Sequence, residues 1–499
     1  MNSPFLTQIL DYLSMKNLFL FKEKLIQNSC YLTIRALTFP LSFLPFKVIH
    51  LIGKGLGTLG YYTMKKYRKR ALSNLSLAEN LEITDLKKTA KASFQNLAIT
   101  TLEYSKFSRI KNTEKIITCE NPEHAKKLIN KGTGIIFFCG HQANWELLFL
   151  EGTQRMPGVA IGRPIKNRAL YNWIVTIREK FGGTIITPKE TIKEGLRALK
   201  KGKFLGIVGD QALPESPYAF DFFGRRAWTT PAPAILSYRT GCPIMVATIK
   251  RKRGKYFIHY SDPIWPNPDS SMEEEIHRMM KESLLILEDD IRKRPGQWLW
   301  QHNRWKQETP NNVYYRYRWD TILIILPKGC HQKISNEQSL HRRKIQGNRC
   351  KEPQSGFLKK INNENSPRKD KCRENLQIAP SKGFDLDSLH TFKEIYPKAF
   401  MTILAPLGTS IPLTGIEVFY YENEEELFIT DYRFKLVFNF SGNKNLQRHF
   451  LKQSAFKVLD LDSLKNGVAK EHLLPGDDLS MLLKKALTRP NTLWRKDAP

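Results

Sequence analysis

The stretch Gly134–Leu148, GIIFFCGHQANWELL, decides how this chain is interpreted. Its four consecutive apolar residues, 135–138, have the length and composition of a buried β-strand. Gly140 lets the backbone turn, and the residues after it begin a helix. The sequence therefore predicts a strand–turn–helix unit in which His141 and Glu146, five positions apart, follow the end of the strand.

This pair suggests acid–base chemistry. A carboxylate that contacts an imidazole fixes its tautomer and stabilises its protonated form, while the other ring nitrogen accepts a proton from a hydroxyl. If the hydroxyl belongs to the substrate, the protein needs no Ser or Cys nucleophile. A His and a Glu at this spacing also occur by chance, so the pair indicates catalysis only in combination with the motifs that follow it. Cys139 is interpreted as a buried strand residue rather than as a thiol nucleophile.

Further motifs follow in a fixed order. They are Gly162-Arg163-Pro164-Ile165-Lys166-Asn167, then Arg178, Gly209-Asp210-Gln211, Phe222-Phe223-Gly224, Thr229-Thr230-Pro231-Ala232 and Gln297–Trp305, QWLWQHNRW. Together with GHQANWELL, these blocks resemble the bacterial lipid A late acyltransferases of the lysophospholipid acyltransferase superfamily. The resemblance spans roughly residues 25–310, and Glu146, in place of the Asp of many superfamily members, favours the lipid A branch.

The resemblance implies an α/β fold with a mixed central sheet flanked by helices. It also implies transfer of an acyl chain from an acyl carrier protein or coenzyme A thioester to a hydroxyl of a lipid A precursor. His141 would act as general base, oriented by Glu146, without an acyl-enzyme and with no cofactor besides the thioester co-substrate. The related enzymes work at the cytoplasmic face of the inner membrane.

Six residues of these blocks are candidates for substrate binding. Arg163 can stabilise the oxyanion or bind an acceptor phosphate. Arg178 can also bind phosphate or be an unspecific helix arginine. The block that contains Arg163 also contributes Asn167.

The remaining three candidates have two interpretations each. Asp210 either orients a base or a sugar hydroxyl, or caps the turn before Gln211. His302 and Arg304 either shape the site or close the fold around the neighbouring tryptophans.

The net charge of the chain indicates which classes of partner it binds. Lys and Arg number 79 against 48 Asp and Glu, a formal net charge of +31, which favours an anionic partner such as membrane lipid or an acidic carrier protein. A general basic bias with a solvated surface is the alternative. No nucleic-acid-binding motif is present, so we expect no nucleic acid partner.

The seven cysteines form no pair with metal-ligand spacing, so no metal site is expected.

The N-terminal region is expected to associate with a membrane. Residues 31–62 are rich in Leu, Phe, Ile and Gly, but charges and two prolines interrupt them, which favours an interfacial or partly inserted helical hairpin over a clean span. The basic cluster Lys65–Arg70 follows and would contact anionic lipid. An ordinary buried helix pair is the alternative. No signal-peptide pattern is recognised.

The chain divides into a membrane-associated region (1–70), an acyltransferase domain (71–318), a strand and basic linker (319–388) and a small C-terminal α/β domain (389–499). Within residues 389–499 we predict two helices, at 389–396 and 478–487, and three strands, at 399–405, 415–421 and 434–440. This part is faintly similar to the N-terminal half of heptosyltransferase-type glycosyltransferases. It lacks the half that would bind the sugar nucleotide, which favours a lipid- or partner-binding appendage.

Two alternatives remain open for the function of the whole chain. It is either an acyltransferase that acts on another glycolipid or a catalytically inactive scaffold on the membrane surface.

Overall fold

The computed structural model describes residues 22–307, 321–330, 386–397, 399–411, 413, 415–453, 455–466, 480–481 and 483–484. The chain forms two compact units. Unit 1 comprises residues 1–318 and 414–433, and unit 2 comprises residues 319–413 and 434–499. The acyltransferase motifs all lie in unit 1. The predicted basic linker lies almost wholly outside the described residues.

Unit 1 contains a seven-stranded mixed sheet and a separate hairpin. Its strands are β1 (Ile117–Glu120), β2 (Ile135–Cys139), β3 (Gly158–Ile161), β4 (Thr184–Ile186), β5 (Phe204–Val208), β6 (Ala219–Phe222), β7 (Arg225–Trp228), β8 (Ile244–Lys252), β9 (Lys255–Tyr260) and β12 (Glu417–Tyr421). The sheet order is β1-β9-β8-β2-β5-β3-β4, and β6 and β7 form the hairpin. Only β8 and β9 pair in antiparallel fashion within the sheet, so β2 and β5 are parallel neighbours at its centre.

The helices of unit 1 are α1 (residues 22–38), α2 (Phe46–Thr63), α3 (Lys65–Leu77), α4 (Leu86–Phe107), α5 (Pro122–Asn130), α6 (Glu146–Arg155), α7 (Arg168–Arg178), α8 (Thr191–Lys200), α9 (Ala232–Thr240) and α10 (Met272–Lys293). Ile135 and Phe137 of β2 pack in a core cluster with residues of α4, α5, α6 and α7. Helices α8, α9 and α10 also contact the strands. The expected α/β fold, with a mixed sheet flanked by helices, is confirmed.

The N-terminal helices expose a concentrated apolar surface. The exposed large apolar residues between 25 and 67 are Leu25, Ile26, Leu32, Leu37, Phe39, Phe43, Val48, Leu51, Leu56, Leu59, Tyr62, Met64 and Tyr67. Helix α2 packs along α4 on its other side, where Gly53 and Gly57 let the two backbones approach closely. Among the described residues, no helix combines the length and apolar character needed to cross a membrane.

The basic cluster on α3 is occupied by a part of the chain more than 350 positions away. Residues 414–433 belong to unit 1 and supply carboxylates to it: Lys65 pairs with Glu425 at 2.6 Å, Arg68 with Glu426 at 2.8 Å, and Lys66 and Arg70 with Asp431 at 3.1 and 2.6 Å. Lys69 is buried and donates to the carbonyls of Glu426 and Ile429. Three carboxylates of unit 1 thus pair with four cations of the cluster that is expected to contact anionic lipid.

Unit 2 is a small α/β unit. Its strands are β10 (Thr321–Ile325), β11 (Phe400–Pro406), β13 (Leu436–Asn439) and β14 (Lys457–Leu459), which pair in parallel in the order β11-β10-β13-β14. Its helices are α11 (Leu389–Ile395), α12 (Asn445–Lys452) and α13 (Leu461–Asn466). Strands β10, β11 and β13 and helix α11 agree with the predicted runs, whereas β14, α12 and α13 were not predicted. Most of the helix predicted at 478–487 lies outside the described residues. The strand predicted at 415–421 is β12, which belongs to unit 1.

Candidate active site

The site forms where two central parallel strands end. In the register of β2 and β5, Cys139 lies opposite Val208, so the residues that follow both strands meet at the same edge of the sheet. Gly140 is required at this point, because a Cβ there would lie 2.9 Å from Oδ2 of Asp210 and 2.9 Å from Leu287. The glycine thus lets the chain after β2 approach the carboxylate that follows β5.

Asp210 holds His141 through two hydrogen bonds. Its Oδ1 lies 2.6 Å from Nδ1 of the His141 ring, and its Oδ2 accepts from the His141 backbone N–H at 2.7 Å. The expectation that Glu146 orients His141 is therefore corrected: the carboxylate at hydrogen-bond distance from the ring is that of Asp210. The interpretation of Asp210 as a residue that orients a base agrees with this geometry.

The environment keeps Asp210 ionised. Burial alone raises the pKa of this carboxyl, but the charge and hydrogen bonds of His141 and a bond from Trp298 outweigh it and lower the pKa to about 2. Trp298 donates from Nε1 to Oδ2 of Asp210 at 2.7 Å. Asp210 is therefore an anion that accepts hydrogen bonds and keeps the ring of His141 in one orientation.

The other ring nitrogen of His141 lies beside the amide of Gln211. Nε2 lies 3.3 Å from Nε2 of Gln211, and the ring packs edge-on against Trp145 with the centroids 4.7 Å apart. The side chain is 16% exposed. With Nδ1 bonded to the carboxylate, the ring has the arrangement of a general base whose Nε2 receives the proton.

Glu146 has a different partner. It is the first residue of α6, and the last residue of α7, Arg178, donates to both of its oxygens, from Nε at 2.8 Å and from Nη2 at 2.5 Å. Arg178 also donates to the Tyr104 hydroxyl at 3.3 Å. Burial raises the pKa of Glu146, but the charge and hydrogen bonds of Arg178 outweigh it and lower the pKa. Arg178 is thus committed to an internal ion pair next to the site.

A second buried carboxylate anchors the turn after His141. Glu103 of α4 accepts from Asn144 at 2.5 Å and pairs with His50 at 2.5 Å and Arg251 at 3.4 Å. It also accepts from the Tyr256 hydroxyl. Burial raises the pKa of Glu103, and Arg251 and His50 lower it by a larger amount. This network fixes Asn144 to the core of unit 1.

His302 and Arg304 are internal. His302 accepts at Nε2 from the backbone N–H of Ala212 at 3.1 Å, and burial lowers its pKa to about 3, so the ring is neutral. Arg304 is fully buried and donates to the Trp228 carbonyl and the Thr229 hydroxyl at 3.0 and 2.6 Å. The two side chains thus connect the last motif, in which they lie, to two other segments: His302 to the loop after Asp210, and Arg304 to Trp228 and Thr229.

Arg163 and Asn167, from the block Gly162–Asn167, lie in different environments. Arg163 is exposed on the loop after β3, and the preceding residue, Gly162, approaches Arg178: a Cβ there would lie 3.2 Å from Nη1. Asn167 caps α7 by accepting from the Leu170 N–H at 2.9 Å and donates to the Gln27 carbonyl at 2.9 Å. Arg163 is thus exposed to solvent, whereas the Asn167 side chain is bonded within the protein.

Cys139 is a buried thiol. Burial raises its pKa, with a further contribution from Asp210, so it stays protonated at neutral pH, as the buried-strand interpretation requires. In the part of the chain that the structure describes, no three His, Cys, Asp or Glu side chains form a group that could hold a metal ion.

The sequence did not single out several residues that contact this site. Trp298 and Trp145 flank Asp210 and His141, Gln211 faces Nε2, and Glu103 anchors Asn144. Trp298, Trp145 and Gln211 lie inside the motifs, which is the signal that marks them. Glu103 lies on α4 outside every motif, and only the tertiary structure identifies it.

Comparison with known proteins agrees with the motifs. Residues 21–307 match the family described as bacterial lipid A biosynthesis acyltransferase. The chain is 26% identical over 284 residues to a lipid A biosynthesis lauroyltransferase of Escherichia coli, covering 55% of this chain and 90% of that protein. It is 22% identical to the E. coli palmitoleoyltransferase (53% and 86% covered) and 27% identical to a lipid A biosynthesis acyltransferase of Haemophilus influenzae (52% and 82%).

Proposed function

Because this chain belongs to the bacterial lipid A biosynthesis acyltransferase family, we propose that it transfers a fatty acyl chain from a carrier-protein or coenzyme A thioester to a hydroxyl of a lipid A precursor. Membership of the family makes it an O-acyltransferase of lipid A biosynthesis. The donor, the mechanism and the place of reaction are the proposal. The observation that carries the mechanism is the two-point contact between Asp210 and His141.

In this mechanism His141 is the general base. Its Nε2 takes the proton of the acceptor hydroxyl while that oxygen attacks the thioester carbonyl. The new C–O bond forms, the C–S bond breaks, and the proton passes from His141 to the departing thiolate. Asp210 stabilises the imidazolium that forms between these steps and remains ionised itself. No residue of the protein becomes acylated.

The Glu146–Arg178 pair is a positioning element in this proposal. Glu146 begins the helix that follows the His141 turn, and Arg178 fixes it to the end of α7 with two hydrogen bonds. Because the pair is internally satisfied, Arg178 keeps little capacity for a substrate phosphate. Arg163, exposed on the adjacent loop, is the candidate for the oxyanion or the acceptor phosphate.

Association with the inner membrane is supported by the apolar surface of the N-terminal helices. Exposed residues such as Leu51 and Leu37, 71% and 70% exposed, would be buried in the interfacial region of a bilayer. In this proposal the protein acts at the cytoplasmic face, where the lipid acceptor lies in the same membrane. The surplus of basic residues would attract both anionic lipid and an acidic carrier protein, so we expect the rate to fall as salt concentration rises.

The test is transfer by the purified full-length protein. A tetra-acylated lipid A precursor is incubated with acyl carrier protein thioesters or with coenzyme A thioesters, and the product is analysed by mass spectrometry. We expect a mass gain of one acyl chain that is lost in His141→Ala. The matched control is His124→Ala, which changes an exposed histidine of α5 whose side chain is 64% exposed.

Two outcomes would contradict the proposal. Transfer that persists at the wild-type rate in His141→Ala would exclude the general-base mechanism. Absence of transfer to the lipid A precursor from either donor, with transfer to another glycolipid hydroxyl, would assign the protein a different acceptor.

A further inference from the structure

A pocket of about 410 Å³ lies in unit 1, and neither His141 nor Asp210 lines it. Helices α2 and α4, the β8–β9 turn and the segment before Trp298 form its walls. The lining residues are His50, Lys54, Ala92, Gln95, Asn96, Ile99, Arg251, Arg253, Gly254, Arg294, Gly296 and Gln297. Neither the His141–Asp210 pair nor the Glu146–Arg178 pair contributes a residue to this lining.

The lining carries four permanent cations and no carboxylate. Glu103 compensates Arg251, and Asp290 compensates Arg294 at 3.1 Å. Lys54 and Arg253 are exposed, and the structure records no ion pair for either of them within the described residues. The pocket therefore has a positive charge that no internal group neutralises, which favours an anionic ligand.

Internal hydrogen bonds hold part of the pocket wall. Gln297 and Arg251 exchange two hydrogen bonds, from the Arg251 N–H at 2.8 Å and from the Gln297 amide at 2.9 Å. Asn96 accepts from Arg251 at 2.5 Å and donates to the carbonyl of Ala143 at 3.2 Å. Both amides are thus bonded to Arg251, and Asn96 also donates to the Gln297 backbone carbonyl at 3.1 Å, so these side chains are held in place without a ligand.

The position of the pocket beside the apolar surface of α2 favours a ligand at a membrane. Lys54 lies one helical turn from Leu51, which is 71% exposed, and Lys47 of the same helix lies close to Gly254 of the pocket wall. If Leu51 and its neighbours enter the interfacial region of a bilayer, Lys54 and Arg253 reach the depth of the headgroup phosphates.

We propose that this pocket binds a phosphate group, through Lys54 and Arg253 with Arg294 at its side, and that a membrane lipid headgroup is its source. A free phosphate ester has the same chemistry, so the experiment distinguishes the two sources. The bound phosphate would contact the walls that hold Ala143, which has a positive φ of 40° and lies two residues beyond His141. The inference does not depend on acyl transfer, since binding is measured without a thioester.

The test uses the full-length protein and the double variant Lys54→Gln/Arg253→Asn. Gln suits the helix, and Asn tolerates the left-handed backbone of Arg253, whose φ is 51°, so both changes remove charge without strain. The control is Lys252→Gln/Lys281→Gln, which removes the same charge from two exposed lysines outside the pocket. Each protein is titrated with glycerol phosphate, followed by thermal unfolding, and with phosphatidylcholine vesicles with and without phosphatidic acid, followed by co-sedimentation.

We expect the pocket variant to bind phosphatidic acid vesicles about tenfold more weakly than the control variant, because two charge-assisted hydrogen bonds are lost. If glycerol phosphate also raises the melting temperature of the wild type but not of the pocket variant, a free phosphate ester suffices as ligand. If only the vesicle binding differs, the headgroup in its bilayer is the ligand. Equal behaviour of the pocket and control variants in both titrations would overturn the proposal.

Discussion

At the scale of single residues, the site depends on which carboxylate faces the His141 ring. Asp210 and Glu146 are both buried anions near this histidine, and both have lowered pKa values. They nevertheless do different things, because Asp210 bonds Nδ1 and the backbone of His141 while Glu146 bonds Arg178. The two carboxylates are therefore expected to give different results when each is changed to its amide.

Asp210→Asn is expected to lower the rate of acyl transfer by about 10³-fold or more, since an amide cannot stabilise the imidazolium and favours the wrong tautomer of His141. The measurement is the initial rate of transfer, with folding checked by circular dichroism. Asp262→Asn, at a carboxylate that is 92% exposed, is the control and should keep the wild-type rate. A fully active Asp210→Asn protein would exclude the orienting role.

Glu146→Gln is expected to reduce the free energy of unfolding by about 3 kcal/mol at pH 7, because it leaves the Arg178 cation without its counter-ion. The lowered pKa of Glu146 means that the pair contributes stability above the ordinary glutamate pKa of about 4.3, and that this contribution is lost as pH falls through the lowered value. Urea denaturation at several pH values measures both effects, and the difference from the wild type should shrink as the pH is lowered.

The control for that series is Glu194→Gln, which breaks an exposed pair with Arg197 and should change stability by about 0.5 kcal/mol or less. A Glu146→Gln protein as stable as this control would contradict the assignment of Glu146 to a stabilising pair.

At the scale of elements, the close packing of α2 on α4 depends on two glycines. A Cβ at Gly57 would lie 2.3 Å from the Cα of Gln95, and one at Gly53 would lie 2.6 Å from Ile99. Both clashes involve the helix that carries Glu103, Asn96 and Thr100, whose side chains bond Asn144 and Ala143. The packing of these helices therefore determines the position of the turn after His141.

Gly57→Ala is expected to destabilise unit 1 by about 3 kcal/mol, because the backbone of α4 has to move. Gly55→Ala on the same helix is the matched control: nothing lies within 4 Å of its Cβ position, so the better helix propensity of Ala should raise stability by up to about 1 kcal/mol. Thermal unfolding of the two variants measures both. Equal effects of the two substitutions would contradict the close approach of the helices.

At the scale of the whole molecule, the N-terminal region has two different surfaces. Its apolar residues are exposed, whereas its basic cluster, Lys65–Arg70, is paired with carboxylates of residues 425–431, about 360 positions away. Binding to a bilayer is therefore expected to depend on the apolar surface more than on this cluster.

Leu51→Glu/Leu59→Glu is expected to weaken binding of the full-length protein to vesicles by about tenfold or more, since each leucine loses roughly 1.5–3 kcal/mol of burial. Vesicle flotation measures this. The control is Leu285→Glu on α10, an apolar residue that is 49% exposed and lies outside the N-terminal surface. Equal loss of binding in both proteins would contradict an N-terminal membrane-facing surface.

The sequence by itself determined the local units of this protein. The apolar run before Gly140 predicted β2, and the order of the motifs predicted the family and the α/β fold, because these features depend on neighbouring residues and on composition. Asp210, Arg178 and His302 were also named from the motifs. Their partners were not predicted, since a motif states which residues are present and not which atoms meet.

Only the tertiary structure decided those partners. Asp210 is 69 positions from His141, and the parallel register of β2 and β5 brings them together, whereas Glu146 starts a helix that directs it toward Arg178. The basic cluster on α3 likewise meets acidic residues about 360 positions away. Contacts at such separations depend on strand register and helix packing, and no periodicity within a short stretch of sequence encodes them.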